Sequence, residues 1–394
     1  MSLETLLSPV TNYKNITVVF NDSIKLYQDD IQSIEIRHDI TFPIIDGFIQ
    51  FVDNQGAVFD NAGQATNGTN RLVIQFTDCN EHLHYYSFII ISRSFYTADK
   101  GSRTVNCKFI DEISYILQHT FISQVISGKP NEIIAQVMNL NSKTKYLFNT
   151  FLRYQNKLIN YDKKISVNFT KDYSALECLY MGFKKYSVST WIDEEGYVSG
   201  EIIPSKFKHI LLDDGSQIIY SDKITNKNYQ FRIHDYDIES NEAKLKERFE
   251  NMPFRFDGKN IDNTTVDIGK FVQDIQLNGQ GFTTYNKIKS EVNQSRLNSR
   301  NESLGFQQTE LLFSLLENNV LVISVVGSYL NCIGYLANVD LKEESAFTYN
   351  QLSGDQLHSG VYLITTVIHK LSRGKLFDKV YLERFDNPVV IGPQ

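Results

Sequence analysis

Between Val320 and Phe385 the chain alternates short apolar runs with tight polar breaks, and few folds accept that pattern. The runs V-L-V-I-S-V-V (320–326) and Tyr362–Leu371 are rich in Val, Ile and Tyr, which suit a pleated, buried or half-buried surface. From Phe377 to Phe385 the alternation is strict. Phe377, Lys379, Tyr381, Glu383 and Phe385 share one face, and Asp378, Val380, Leu382 and Arg384 share the other. A period of two is the period of a strand. The segment L-S-R-G-K-L (371–376) reads as a hairpin turn, with Gly374 supplying the permissive backbone. Strands joined this closely pair antiparallel, so this end of the chain predicts an antiparallel sheet.

The other end repeats the theme. Ile16–Phe20, Ile24–Leu26, Ile31–Asp39, Gly47–Gly56, Arg71–Asp78, His84–Arg93 and Arg103–Phe109 read as strands, with 63–70 as a Gly, Asn and Thr loop. Turns at near-regular spacing fit a small barrel or sandwich. The period then changes. Asp111–Phe121 carries Ile113, Ile116, Leu117 and Phe121 at helical spacing. Pro130–Asn139 is a second helix with Pro130 in its first turn, and Lys171–Tyr186 a third, with Tyr173, Leu176, Leu179, Tyr180 and Phe183 in one stripe. Trp191–Val198 is a hairpin turning at Asp193–Gly196. Beyond it, Phe231–Ile238 reads as a strand and Glu239–Glu250 as a charged, helix-patterned segment. Asn260–Asp267 and Asn293–Ser303 are polar loops, and Gln307–Asn318 is a helix running into Val320.

At 394 residues this is too long for one ordinary domain. With 42% hydrophobic and 22% charged residues it buries a sizeable core. Aromatics at 12% and only seven prolines favour sheet. A net charge of −7 implies no general affinity for nucleic acid or anionic membrane. The four cysteines, Cys79, Cys107, Cys178 and Cys332, are scattered and read as reduced thiols of a protein made in a cytoplasm. The N-terminus lacks the pattern of a signal peptide, and no apolar run reaches the roughly 20 residues of a membrane helix.

Two separated segments carry a family resemblance. The first is G-S-Y-L-N-x-I-G (327–334) between strands, followed by S-G-x-Y-L-I-x-x-V-x-H-x-L-x-x-G (359–374). The second is the helix S-A-L-x-x-L-x-x-G (174–182) with an aromatic strand and D-x-x-G-x-V (193–198) after it. In that order they resemble the central baseplate hub protein of contractile-tailed bacteriophages and the related late-control and spike-hub proteins of contractile injection systems. Only these segments match in residues. The rest follows in organisation, and 199–305 only weakly.

The resemblance implies a mainly β fold with α+β insertions. Two similar small antiparallel, tube-like β-barrels would flank a middle α+β region. Residues 1–110 would form the first barrel, 111–200 the middle domain, and 201–240 with 307–386 the second barrel, 241–306 being an inserted polar and helical segment. Gly327, Gly334, Gly360, Tyr362 and Gly374 would frame the second barrel as backbone-geometry positions. The implied protein is a homotrimeric structural hub, adapting a sixfold tail tube to a threefold spike. It assembles in the host cytoplasm into the virion baseplate and lets DNA pass. Its partners would be the tube protein, a separate spike protein and other baseplate proteins, with no stable membrane association.

The residues themselves point to no enzyme. His82 and His84 sit on one strand face, but no third metal ligand lies near in sequence. His369 within an apolar strand reads as a structural histidine. The acidic clusters Asp193–Glu195 and Asp213–Asp214 read as turns, and 279–281 (G-Q-G) lacks the setting of a phosphate loop. No cofactor is implied. Two alternatives remain: the hub of a non-contractile phage tail, and a tail-tip peptidoglycan hydrolase, which needs an acidic pair in a cleft.

Overall fold

The structure is a computed structural model that describes residues 14–41, 44–54, 56–60, 64, 70–78, 81–97, 102–140, 157–159, 163–184, 186, 188–193, 196–200, 207–211, 215–222, 230–240, 319–341, 358–372 and 375–384. Strict alternation builds its first half. Strands β1 (Lys14–Phe20), β2 (Ile24–Leu26), β3 (Ile31–Asp39), β4 (Ile45–Asn54), β5 (Arg71–Thr77), β6 (Leu83–Thr97) and β7 (Ser102–Asp111) form an antiparallel run in the order β2-β1-β5-β6-β7-β4-β3. Every second residue points inward: Val18 and Phe20, Ile34 and Ile36, Ile49 and Phe51, Leu72, Ile74 and Phe76, Phe88 and Ile90, Val105 and Phe109 are all buried. Each such side chain contributes roughly 1.5–3 kcal/mol by leaving water. β6 runs past the predicted Arg93 because a bulge between Ile90 and Ser92 absorbs one residue and lets pairing with β7 continue.

Three helices follow: α1 (Glu112–Gln118), α2 (Pro130–Leu140) and α3 (Ala175–Lys184). α1 starts where the Asp111 side chain accepts a hydrogen bond from Ser114 N at 2.8 Å. α3 starts at Ala175 and not at Lys171 because Ser174 and Glu177 form a reciprocal cap. Ser174 N donates to Glu177 Oε2 at 2.8 Å, and Glu177 N donates to Ser174 Oγ at 3.3 Å. β8 (Gln124–Gly128) pairs with β10 (Ile165–Phe169), while β11 (Ser189–Asp193), β12 (Gly196–Gly200) and β9 (Lys157–Ile159) form a three-stranded sheet. The helices' buried Leu117, Ile133, Val137, Leu176 and Phe183 join the same core as the first half.

The second half has its own core around Tyr220, Phe231, Ile323, Val325, Ile364 and Val380. Its strands are β13 (Ile219–Ser221), β14 (Gln230–Arg232), β15 (Asp235–Ser240), β16 (Asn319–Val326), β17 (Leu336–Asp340), β18 (Gly360–Ser372) and β19 (Lys375–Glu383). The predicted strand Phe231–Ile238 is two strands. Ile233 N donates to Ser221 O and His234 N to Ser324 O, so the chain changes partner there, from β13 to β16. The long strand β18 ties everything together. It pairs with β17 over Gly360–Leu363, with β19 over Leu363–Ser372, and with β3 over Thr366–Ser372. The result is a mainly β, largely antiparallel fold in which one 14-stranded sheet spans both halves. Among the described residues the run β2 to β3 continues into β18 and does not return to β2, so neither half is closed by pairing. Segment 241–306, the predicted helix Gln307–Asn318 and Gly374 lie outside the described residues.

Candidate functional site: the polar joint between the two halves

The period of two that builds the core also carries ionisable groups into it. On β3 the inward series Ile34, Ile36 continues to His38. On β5 the series Leu72, Ile74, Phe76 continues to Asp78. β6 opens its inward face with His84, β18 places His369 between Val367 and Leu371, and β19 places Asp378 between Leu376 and Val380. His38, Asp78, His84, His369 and Asp378 are all at most 3% exposed. They meet where β5, β6 and β3 of the first half face β18, β19 and the 327–334 turn of the second.

Both carboxylates are heavily solvated by protein. Asp378 Oδ1 lies 2.7 Å from His369 Nδ1, and its Oδ2 accepts from Ser328 N at 3.0 Å and Asn331 Nδ2 at 2.6 Å. Asn331 accepts in turn from the buried Tyr220 hydroxyl at 2.7 Å. Asp78 Oδ2 lies 3.3 Å from His84 Nε2 and accepts from Tyr329 N at 2.8 Å, while its Oδ1 accepts from His82 N at 3.0 Å. The Tyr329 bond joins residues 251 positions apart in the chain. Burial pushes the Asp78 carboxyl up, but the bonds from His84, Tyr329 N and His82 N outweigh it and hold the group below its ordinary range. Burial, with the nearby Asp378 and Cys332, raises the Tyr220 phenol well above its ordinary value.

The imidazoles complete the joint. His369 has ring centroids 5.4 Å from His38 and 5.6 Å from His84. His38 Nε2 meets the Tyr86 hydroxyl at 3.3 Å, and His84 stacks on Phe76 at 4.5 Å. His82 is exposed, with its ring stacked on Tyr329 at 4.6 Å, so the two histidines predicted on one face do different work. Among the described residues no group of three or more His, Cys, Asp or Glu is arranged to hold a metal ion.

Two of the glycines singled out in the sequence bracket this joint. Gly327 N donates to Leu376 O at 3.1 Å, and a Cβ added at Gly327 would run into the Leu376 side chain. Only a glycine lets the turn lie this close to β19, which brings Ser328 N and Asn331 onto Asp378. Gly334 ends the turn at φ +80°, a left-handed conformation, and donates to Ile364 O at 2.9 Å. Gly360 and Tyr362 lie at the far end of β18. Gly360 has φ +145°, and Tyr362 is buried, donates to His358 O at 2.7 Å and carries the Arg384 guanidinium over its ring at 5.2 Å. Asp78 and Asp378 were not singled out, and Ser328 and Asn331 stood only as letters of the 327–334 turn motif. The available signal was an aspartate on the apolar face of an alternating strand, facing a histidine on another.

The chemistry of this arrangement is that of a fastener. Both carboxylates are dry, and each gathers donors from segments distant in sequence. A separate cavity of about 410 Å³ on the outer face of β4, β6 and β7 is lined by Phe48, Gln50, Ser92, Asn106 and Lys108 among others, with no carboxylate in the lining.

No family model and no curated protein matches the sequence. Solved structures match the fold. A tail protein from Neisseria meningitidis MC58 superposes with a TM-score of 0.52 at 12% identity, over 95% of this chain and 96% of that one. The chain has the fold of this tail protein. The 43 kDa tail protein of prophage MuSo2 from Shewanella oneidensis matches at a TM-score of 0.48 and 12% identity, over 94% and 98% of the two chains. A type VI secretion component of E. coli, described as structurally similar to T4 bacteriophage tail proteins, matches at 0.48 and 8% identity, over 95% and 77%. At 12% identity the likeness to the Neisseria protein is one of fold alone, and function must be argued separately.

Proposed function

We propose that the chain is the structural hub of a phage tail baseplate. The observation that carries this reading is the tail-protein fold, shared over nearly the whole of both chains. The order of the two hub-like segments, 174–198 and 327–374, supports it. In this reading three copies form a ring beneath the tail tube. Residues 1–110 and 201–240 with 307–386 supply two tube-like units per copy, so the ring offers six units to a sixfold tube and a threefold face to a separate spike protein. Residues 111–200 form the middle domain that holds the spike, and 241–306 are an insertion. Gly327, Gly334, Gly360, Tyr362 and Gly374 set the backbone of the second unit. The work is mechanical and not catalytic: the ring sits in the virion baseplate beside other baseplate proteins, and DNA passes through it after contraction.

The test is the mass in solution, by light scattering across a concentration series, alone and with tube and spike proteins. Three chains, or monomers that become three on adding the spike, support the hub. A monomer at every concentration that ignores both partners overturns it.

A further inference from the structure

We propose that the cavity on the outer face of β4, β6 and β7 is a binding site for an acidic sugar, a ligand of the uronic or sialic acid class. The inference concerns the chain alone and stands whether or not the hub reading does.

Pairing builds the site. β7 lies between β4 and β6, and residues paired across an antiparallel sheet share a face. Phe48, Lys108 and Ser92 therefore make one row, and Gln50, Asn106 and Ser94 make the next. Strand and residue spacings give this tile a size of roughly 10 Å across by 7 Å along, the scale of a small sugar. The bulge between Ile90 and Ser92 lies at its corner and breaks the even surface of β6 there. The cavity of about 410 Å³ falls within the roughly 300–1,000 Å³ of small-molecule sites. Lys108, Ser92 and Ser94 are exposed, so it opens to solvent.

The lining selects the ligand. Among the described residues the side chains of Lys108, Gln50, Ser92 and Ser94 have no hydrogen-bond or ion-pair partner, and the buried Oδ1 of Asn106 accepts no bond. Arg93, also in the lining, is committed elsewhere: it donates to Asn70 Oδ1 at 3.3 Å, and its guanidinium lies 5.2 Å from the centre of the Phe59 ring. The next residue along the first row, Glu35 beyond Phe48, is bonded to Lys370 at 2.6 Å. Lys108 thus calls for an anion, and a cationic ligand finds no carboxylate in the lining. A bare carboxylate only accepts, so it leaves Asn106 Oδ1 unmet. A hydroxyl both donates and accepts. It satisfies Asn106 whichever way that amide is turned, and it suits Gln50, Ser92 and Ser94 equally. Phe48 adds an apolar wall for the C–H groups of a sugar ring. Hydroxyls, one carboxylate and an apolar ring surface together describe a sugar acid. A peptide would need an apolar pocket for an anchoring side chain, and among the described residues Phe48 is the sole aromatic or aliphatic residue of the lining. The site holds the sugar without cutting it, because glycoside cleavage uses a pair of carboxyl groups beside the bond.

Saturation-transfer NMR on the intact chain tests this. The probes are sodium D-glucuronate, D-galacturonate and N-acetylneuraminate, with D-glucose as the neutral sugar and N-acetyl-L-glutamate standing for an acidic peptide. At least one sugar acid should bind saturably below about 10 mM, and about threefold or more tighter than glucose. Lys108→Ala should bring the sugar acid down to the level of glucose. Ser94→Leu, which fills the cavity from an exposed position, should abolish binding of both sugars while leaving the urea midpoint unchanged. Three results overturn the proposal: no sugar acid binds, N-acetyl-L-glutamate binds as tightly as the best of them, or binding survives Ser94→Leu.

Discussion

Replacing Asp378 by alanine should loosen the molecule more than any other single truncation in the joint. The carboxylate accepts from His369 Nδ1, Ser328 N and Asn331 Nδ2, and it is fully buried. A methyl group leaves all three donors facing an apolar gap. Each orphaned buried donor costs about 1–3 kcal/mol. Removing a buried charge returns part of its desolvation cost, and a water entering the gap restores some bonding. The net loss should fall near 3–5 kcal/mol, as for breaking a buried pair by removing one partner. Asp378→Asn keeps the volume and one carbonyl oxygen, so it should lose only about 1–2 kcal/mol. Urea unfolding at about pH 7 measures both, and exchange at the Ser328 amide reports the local part. An alanine variant within about 1 kcal/mol of the parent would refute the reasoning, because burying the carboxylate would then cost as much as its hydrogen bonds contribute.

Two further outcomes follow from the same geometry. Gly327→Ala places a Cβ into the buried Leu376 side chain and pushes the turn off β19, so it should destabilise by about 1–3 kcal/mol in urea unfolding; a neutral result would mean that the turn does not rest on Leu376. Asp111 caps α1 and accepts from Ile45 N at 3.2 Å, yet burial pushes its carboxyl up to about 6, against the bonds from Ser114 and Ile45. A raised carboxyl stabilises below its unfolded value near 3.8 and loses that contribution as pH rises through about 6. Asp111→Asn should therefore gain on the parent by up to about 3 kcal/mol between about pH 4 and about pH 7.5, and a gap that shrinks with rising pH would contradict this.

Much of the architecture was legible as period. The alternation from Phe377 to Glu383 set which side chains share a face, and the stripe with Leu176, Leu179 and Phe183 gave α3, though it placed the start at Lys171, four residues before Ala175. The break at Ile233–His234 was not legible, because it is a change of partner and both partners are far away in sequence. The glycines at 327 and 334 were legible as turn positions. What the turn is pressed against was not.

By itself the sequence determined the class of structure, mainly β with helices between strand groups, and put Asp378 on one face with Val380 and Leu382. Both follow from local geometry, since a strand sends successive side chains to opposite sides whatever it pairs with. Tertiary structure decided the partners. That β18 pairs at once with β17, β19 and β3, and that Asp78 holds the amide of Tyr329 across 251 positions, depends on which faces bury each other. Alternation gives a strand a face but not a neighbour, and only packing of the two halves turns five scattered ionisable residues into one joint.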